Sequence, residues 1–321
     1  MAKVHNALMM SSGPHLVSSS DSAVIYRDTV IALLPQLLVS IYMFGFRAFI
    51  MTAACMAASV IFEWAFRRIL GRSRTIGDWS AAASGMLLAF TLSVRLPYWM
   101  AIVGCFISIV VVKQLFGGIG QYFANPVAVA KLILLVSFPD AMNNWSVGPH
   151  MSEAIRSAAG IDAVTGPMPL DLFAAHRVLP SDLDMFLGRV NGALGEISGL
   201  ALIIGGIYLI VRKDIDPLTP ASFILSAAAA ALVLGLDPIF HIFAGGIMLG
   251  AFFIATDMPT SPITRKGRLI YGIGCGVLTM LIRVYSNYSD GTAFAILLMN
   301  ILSPLIDRAV MRVPGKEAAG E

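Results

Sequence analysis

The sequence predicts an all-α polytopic membrane protein, and three observations carry that reading. Hydrophobic residues make up 57% of the 321 positions and charged residues 13%, about half the charged share of a soluble domain. Apolar runs approaching the roughly 20 residues that a helix needs to cross a hydrocarbon core recur along nearly the whole length. Lysines and arginines gather in alternate breaks between those runs, the bias that sets orientation in a bilayer.

Taken in order, residues 1–28 hold no apolar core of signal-segment length and read as a cytoplasmic arm. Apolar segments follow at about 29–46, 48–66, 80–94, 98–115 and 122–139. After a long polar stretch they resume at about 196–211, 220–236, 239–256, 267–282 and 291–306. Several are short and broken by Gly or Pro, as in half-helices lining a site enclosed by protein. With the N-terminus in the cytoplasm, Arg67, Arg68, Arg72, Arg74, Arg212, Lys213, Arg265, Lys266 and Arg268 all fall inside. Arg308, Arg312 and Lys316 lie on the tail, while the opposite short loops hold little beyond Arg47, Arg95 and Arg283. Both termini are therefore expected in the cytoplasm.

The expected organisation is a first five-helix repeat at 29–139, an outer-face loop at 140–195, a second five-helix repeat at 196–306 and a cytoplasmic tail at 307–321. Five is odd, so two homologous halves have to be inverted relative to each other. Weak echoes fit this: "DWSAAASGMLLAFTL" and "HIFAGGIMLGAFFIA" are both rich in small residues, and "QYFANPVAVAKLILL" and "LLMNILSPLIDRAV" both place an Asn shortly before a Pro.

No basic run interleaves with aromatics, so nucleic acid is not an expected partner; membrane lipid is. Cys55, Cys105 and Cys275 are far apart inside apolar runs, and the five histidines show no ligand spacing, so no metal site is proposed. The glycines of "FGGIGQYFANP" and "YGIGCGV" are not a dinucleotide fingerprint, because no strand precedes them. The first phrase instead suits a broken turn whose backbone faces a cavity. "ATDMPTSPITRKGR" packs Asp257, Thr260, two prolines and a run of cations after a glycine-rich helix, a polar knot suited to a cation or to assembly. Lys131 reads as the one Lys or Arg well inside an apolar segment, and Glu196 opens the sixth. Charges at such depth cost about 2.5–3.5 kcal/mol on insertion scales and face a partner, a ligand or water. Asp237 and Asp290 read as ordinary outer-loop residues. No catalytic residue is assigned.

Within the outer loop, "GIDAVTGPMPLDLF" resembles a flavin-attachment phrase, Asp-x-x-Ser/Thr-Gly-Ala-Thr-Pro-Leu. The resemblance extends along "SSGPH", "RDTVIALLP", "KQLFGGIGQ", "NPVAVAKLILLVSFP", "GEISGLALIIGGIYLI", "GGIMLGAFFIATDMPTSPIT", "GRLIYGIGCGVLTMLIR" and "AFAILLMNILSPLID". Together these phrases resemble the RnfD family, the D-type membrane component of Rnf electron-transport complexes. More distantly they resemble the B-type component of the sodium-pumping NADH:quinone oxidoreductase. The resemblance implies ten helices in two inverted repeats with a urea-transporter-like fold in the prokaryotic inner membrane. It implies a complex that moves electrons between ferredoxin and NAD, coupled to sodium or proton translocation, with Rnf subunits A, B, C, E and G as partners. It also implies FMN held on the outer face by a phosphoester to threonine, with riboflavin as a further flavin.

The carry-over is mixed. Asp162, Thr165, Gly166, Pro169 and Leu170 match the phrase, but Pro167 replaces Ala and Met168 occupies the acceptor slot. A phosphoester needs an oxygen nucleophile, which a thioether lacks. Three readings stay open from sequence: an electron-carrying subunit of such a pump, a flavin-free scaffold that keeps an ion path, and a passive channel for a small polar solute. Lys131, Glu196, Asp257 and Thr260 are the candidate ion-path residues.

Overall fold

The computed structural model describes residues 22–71, 76–148, 150–159 and 165–310. Each expected apolar segment coincides with helix. The first half holds α1 (Ser22–Phe44), α2 (Phe46–Ile69), α3 (Ser80–Phe90), α4 (Tyr98–Phe106) and α5 (Pro126–Ser137). The second holds α6 (Gly199–Arg212), α7 (Leu218–Val233), α8 (Pro238–Phe243), α9 (Ile247–Leu249), α10 (Arg265–Tyr285) and α11 (Thr292–Val310). Among the described residues four helices, α1, α2, α10 and α11, are long and apolar enough to cross a membrane. The chain is thus an all-α, multi-pass membrane protein, and no strand occurs among the described residues.

Helix α1 begins at Ser22 rather than near 29, taking in residues read from sequence as part of the arm. The polar Arg27 and Asp28 masked that turn; Asp28 is buried and paired with Arg212 at 2.7 Å. Large apolar side chains such as Leu38, Phe46, Ile61, Leu225 and Val233 stand exposed along the outer helix faces. A soluble monomer seldom shows so much apolar surface, which fits a membrane protein.

Several helix pairings recur in both halves. α2 packs on α3 and α4, and α7 packs on α8 and α10; α5 lies on α3 and α4, and α11 lies on the α9 segment and α10. The halves meet where α1 crosses α6 and α5 crosses α11. Small residues permit the tightest crossings. A Cβ on Gly205 would strike the Ala32 carbonyl of α1, and one on Gly276 would meet the Phe223 carbonyl of α7 at 2.5 Å.

Two helices widen at their ends into π-helix, α4 at Ile107–Gln114 and α9 at Gly250–Ile254. Such widening is uncommon and concentrates at functional sites. Both lead into polar turns, the first through Gly117 and Gly118, whose φ values of 119° and 105° suit only glycine.

The loop between the two halves is a cap with a small core of its own. Trp145, Met151, Ile155, Met168, Leu170, Leu172 and Met185 are buried together with Met43 of α1 and Phe240 of α8. Short helices at Glu153–Ala159, Pro169–Ala174 and Asp182–Leu187 carry most of these residues.

Candidate functional site

Two buried clusters of ionisable groups lie among the helices. The first gathers at the end of the widened α9. Asp257 follows that helix and accepts hydrogen bonds from the Tyr122 hydroxyl at 3.2 Å and from Asn125 Nδ2 at 3.2 Å. The Tyr26 hydroxyl lies 3.4 Å from that of Tyr122. Asn125 serves twice: its Oδ1 caps α5 by accepting from Val127 N at 2.9 Å, and its Nδ2 also reaches the Ile254 carbonyl at 3.3 Å. The Asn-Pro pair therefore starts α5, with Pro126 at a position that needs no donor, and ties that start to Asp257. Thr260 is buried, with its hydroxyl on the Asp257 carbonyl.

A cavity of about 40 Å³ beside Asp257 is lined by Tyr26, Ser84, Tyr122, Asn125 and Thr256 among others. It is large enough and polar enough to hold water. Burial pushes the Asp257 carboxyl up to about 6, against the pull of the Tyr122 hydrogen bond and the Lys113 charge. That charge belongs to a second pair on the same side: Lys113 Nζ lies 2.8 Å from Glu63 Oε2 and 2.6 Å from Ser80 Oγ. Lys113 is 1% exposed, so Lys131 is not the only cation well inside the helices, contrary to the expectation from sequence. Lys113, near the end of its apolar run, lies in the π-widened segment and reaches inward to Glu63 rather than toward the interface.

The other cluster joins both halves beneath the cap. Lys131 Nζ of α5 lies 2.8 Å from Glu196 Oε1 and 3.3 Å from Asp290 Oδ2. Arg283 Nη2 lies 3.0 Å from Asp290 Oδ1 and donates to the Ala244 carbonyl at 2.8 Å, while Nη1 donates to the His241 carbonyl at 2.7 Å. The Thr292 hydroxyl donates to Asp290 Oδ1 at 2.7 Å. Asp290 is thus a network centre and not an ordinary loop residue. Burial alone would raise its carboxyl, but the Lys131 and Arg283 charges hold it below the usual range. Arg283, counted from sequence as an outer-loop charge, is 9% exposed. Neither its role nor that of Asp290 is visible locally, because their partners lie up to 159 positions away. An odd arginine and an acid flanking one short loop were the only signal.

Of the flavin-type phrase, Asp162 lies outside the described residues. Thr165 is exposed and pairs with Ser146 in an isolated antiparallel bridge. Gly166 N donates to the Trp145 carbonyl at 3.2 Å. Met168 is 3% exposed, packed in the cap core, and its backbone N–H donates to Asp171 Oδ2 at 3.1 Å. Pro169 opens the short helix that follows. A side chain at position 168 therefore faces the apolar interior of the cap, and this one has no hydroxyl. These residues do not fit a flavin esterified at that position. Asp171 Oδ1 in turn accepts from the Ser289 hydroxyl at 2.5 Å, which ties the phrase to the residue beside Asp290.

The sequence model of the NQR2, RnfD, RnfE family matches residues 9–315. The D component of the Na(+)-translocating ferredoxin:NAD(+) oxidoreductase complex of Acetobacterium woodii is 44% identical over 305 residues, covering 94% of this chain and 93% of that protein. The D component of the proton-translocating ferredoxin:NAD(+) oxidoreductase complex of Clostridium ljungdahlii is 36% identical over 322 residues, covering 94% of each. The D component of an ion-translocating oxidoreductase complex of Stutzerimonas stutzeri is 39% identical over 323 residues, covering 91% of each.

Proposed function

Because the chain belongs to the NQR2, RnfD, RnfE family, we propose that it is the D-type membrane subunit of an Rnf-type complex, coupling electron transfer between ferredoxin and NAD to cation translocation. The similarity to D components of such complexes over more than nine-tenths of both chains carries this reading. A passive solute channel would share only the fold, and fold alone does not set function. The chain acts as one part of a translocase, together with the other Rnf subunits, A, B, C, E and G.

The helix pairings shared by α1–α5 and α6–α11, with the inverted relation that an odd number of spans demands, support ten spans in two inverted repeats. The domain bounds at 29–139, 140–195 and 196–306 belong to that reading. The family membership supports a prokaryotic inner membrane location, and the Lys/Arg distribution supports both termini in the cytoplasm with the cap outside.

In this arrangement Asp257, with Thr260, Asn125, Tyr122 and the small cavity, belongs to the cytoplasmic half of the ion path, and Lys131 with Glu196 to the outer half. Asp257 has the required chemistry: a half-buried carboxyl held by the Tyr122 hydroxyl and the Asn125 amide, and space for water. Sodium and proton are both compatible with such a group. FMN or riboflavin, where the complex uses it near this chain, would be held by affinity and not by a bond to position 168. Thr165 and Gly166 remain the polar edge of the phrase.

The experiment is an affinity purification of the tagged chain from its host, followed by reconstitution in liposomes. The expected result is co-purification of the other Rnf subunits and ferredoxin-dependent NAD reduction with cation uptake. A chain that purifies alone, without them, overturns the reading.

A further inference from the structure

We propose that the groove between the ends of α6, α7 and α10 binds one anionic phospholipid of the cytoplasmic leaflet, with its phosphate on Lys213 and Arg265 and an acyl chain along α7. The proposal rests on the orientation proposed above and deepens it by naming what that face binds.

The argument begins with shape and place. An open groove of about 1060 Å³ lies where the end of α6, the start of α7, the turn after Asp257 and the start of α10 come together. Its charged lining is Lys213, Asp214, Asp216, Arg265 and Arg268. Helix ends on the cytoplasmic side stand at the level of lipid headgroups, and basic pockets between membrane helices there suit acidic ones.

The charges do not cancel within the groove. Arg268 Nη1 lies 2.9 Å from Asp216 Oδ2 and its Nε donates to the Pro262 carbonyl at 3.0 Å, so that pair is closed. Lys213 and Arg265 are exposed and enter none of the ion pairs among the described residues. The acid that remains is Asp214. Burial first, and then the Asp28 carboxylate, raise its carboxyl above the ordinary range against the pull of Arg212. Two unpaired cations thus face one acid that holds its proton more readily, and the groove is short of an anion.

An apolar track leaves the same groove. Met258 and Ile263 line it and are 59% and 75% exposed. Leu218 and Ala221 of α7 also line it, and exposed Leu225, Ala229 and Leu232 follow at steps of three and four. That spacing keeps all five on one helix face, a stripe running from the groove along the span. A water-soluble partner can meet the cations but cannot follow a stripe into hydrocarbon. A zwitterionic lipid can follow the stripe but brings no net charge to the cations. An anionic phospholipid does both.

The test takes the tagged chain with whatever it carries from its membrane, washes it in detergent with phosphatidylcholine and titrates in phosphatidylglycerol. Bound lipid per copy of the chain is counted by mass spectrometry, so the count reads out whether or not other subunits are present. Wild type should retain one phosphatidylglycerol more than the double variant Lys213→Gln, Arg265→Gln. Each single variant should raise the half-saturating lipid about fivefold, the factor for one cation near a headgroup. The singles carry the same test if the double variant does not assemble. Arg308→Gln, an exposed cation outside the groove, should change nothing. Equal counts in wild type and variants overturn the proposal. So does an equal loss in Arg308→Gln, which would make the effect one of general surface charge, and so does release of the lipid by inorganic phosphate alone. Ile263→Cys, labelled with an impermeant maleimide in inverted and right-side-out vesicles, reads the orientation separately, because the native cysteines are buried. Labelling from the cytoplasmic side supports the leaflet. Labelling only from outside overturns the orientation and the leaflet and leaves the lipid count to stand. Protection from both sides with no lipid retained means that another subunit fills the groove, and overturns the proposal.

Discussion

Arg283→Met is the sharpest perturbation of the outer cluster. The substitution keeps most of the side-chain volume and removes one charge with three polar contacts, to His241 O at 2.7 Å, Ala244 O at 2.8 Å and Asp290 Oδ1 at 3.0 Å. Breaking a buried pair by deleting one partner costs about 3–5 kcal/mol, because the other charge is left behind. Asp290 is not abandoned entirely, since Thr292 still donates to Oδ1 at 2.7 Å and Lys131 still faces Oδ2 at 3.3 Å. The cost should therefore fall near the lower end, about 3 kcal/mol, or roughly a hundredfold in the folded-to-unfolded ratio. Adding Asp290→Asn restores neutrality and leaves the Lys131–Glu196 pair intact. Groups in one such network couple by about 0.5–3 kcal/mol, so the double variant should be more stable than Arg283→Met alone. Reversible unfolding of the chain in detergent, followed across a denaturant series, measures both. A loss below about 1 kcal/mol for Arg283→Met, or a double variant as unstable as the sum of the singles, would refute the charge argument.

The remaining expectations address the inner cluster, the cap and the turn at Gly246. Asp257→Asn should lower cation transport per electron while leaving electron transfer in place, as measured in liposomes. Its pH dependence follows from a carboxyl raised from 3.8 to about 6: the folded state binds the proton more tightly than the unfolded one, so this group's contribution to stability is present at low pH and is lost as pH rises from about 4 through about 6. The difference in thermal midpoint between wild type and Asp257→Asn should therefore change between pH 4 and pH 7 in favour of the variant, and a difference that stays constant with pH would contradict the shift. The wild-type polypeptide should run dark under ultraviolet light on a denaturing gel, because Met168 offers no oxygen to esterify; a fluorescent band whose flavin peptide maps to Thr165 would show a displaced acceptor. Gly246→Ala should destabilise the chain by about 1–3 kcal/mol, since its Cβ meets two fixed carboxylate oxygens at 2.9 Å. Gly77→Ala, with nothing within 4 Å, serves as the control.

What could be read in advance divides along physical lines. A bilayer forces apolar length on every span, so the positions of the helices showed directly in hydropathy. The Asn125–Pro126 break and the knot at Asp257 were visible too, because capping and turn chemistry are local. Their meeting was not, since a bond between positions 125 and 257 depends on how α5 and α9 pack. The charged networks fared in the same way. Lys131 stood out as a cation in an apolar run, but Asp290 looked like loop because its partner Lys131 comes from the other half, and Arg283 looked like an orientation signal because two of its acceptors are carbonyls about 40 positions back. Lys113 was hidden at a segment end, where a lysine ordinarily snorkels to the interface. The π-widened segment in which it lies leaves no clear mark in composition. The start of α1 was missed for a related reason, because Asp28 and Arg27 lower hydropathy in a turn whose acid is buried against Arg212.

The cap and the outer cluster are physically continuous. Met168 N–H donates to Asp171, Asp171 accepts from Ser289, and Ser289 precedes Asp290, which holds Lys131 and Arg283. Contacts in a row do not by themselves carry coupling; a two-state element must sit somewhere along them. Arg283 is a poor candidate, being pinned by carbonyls of a neighbouring turn. The Asp171–Ser289 bond only holds the cap against the α10–α11 connection. Lys131 is the better candidate, with a flexible stem and an ammonium held by the carboxylates of Glu196 and Asp290. A displacement of the cap that moved Asp290 would lengthen the already longer of its two bonds, 3.3 Å against 2.8 Å, and leave the ammonium with Glu196 alone. Any influence of the outer loop on cation passage would then act through the share of Lys131 that Asp290 retains.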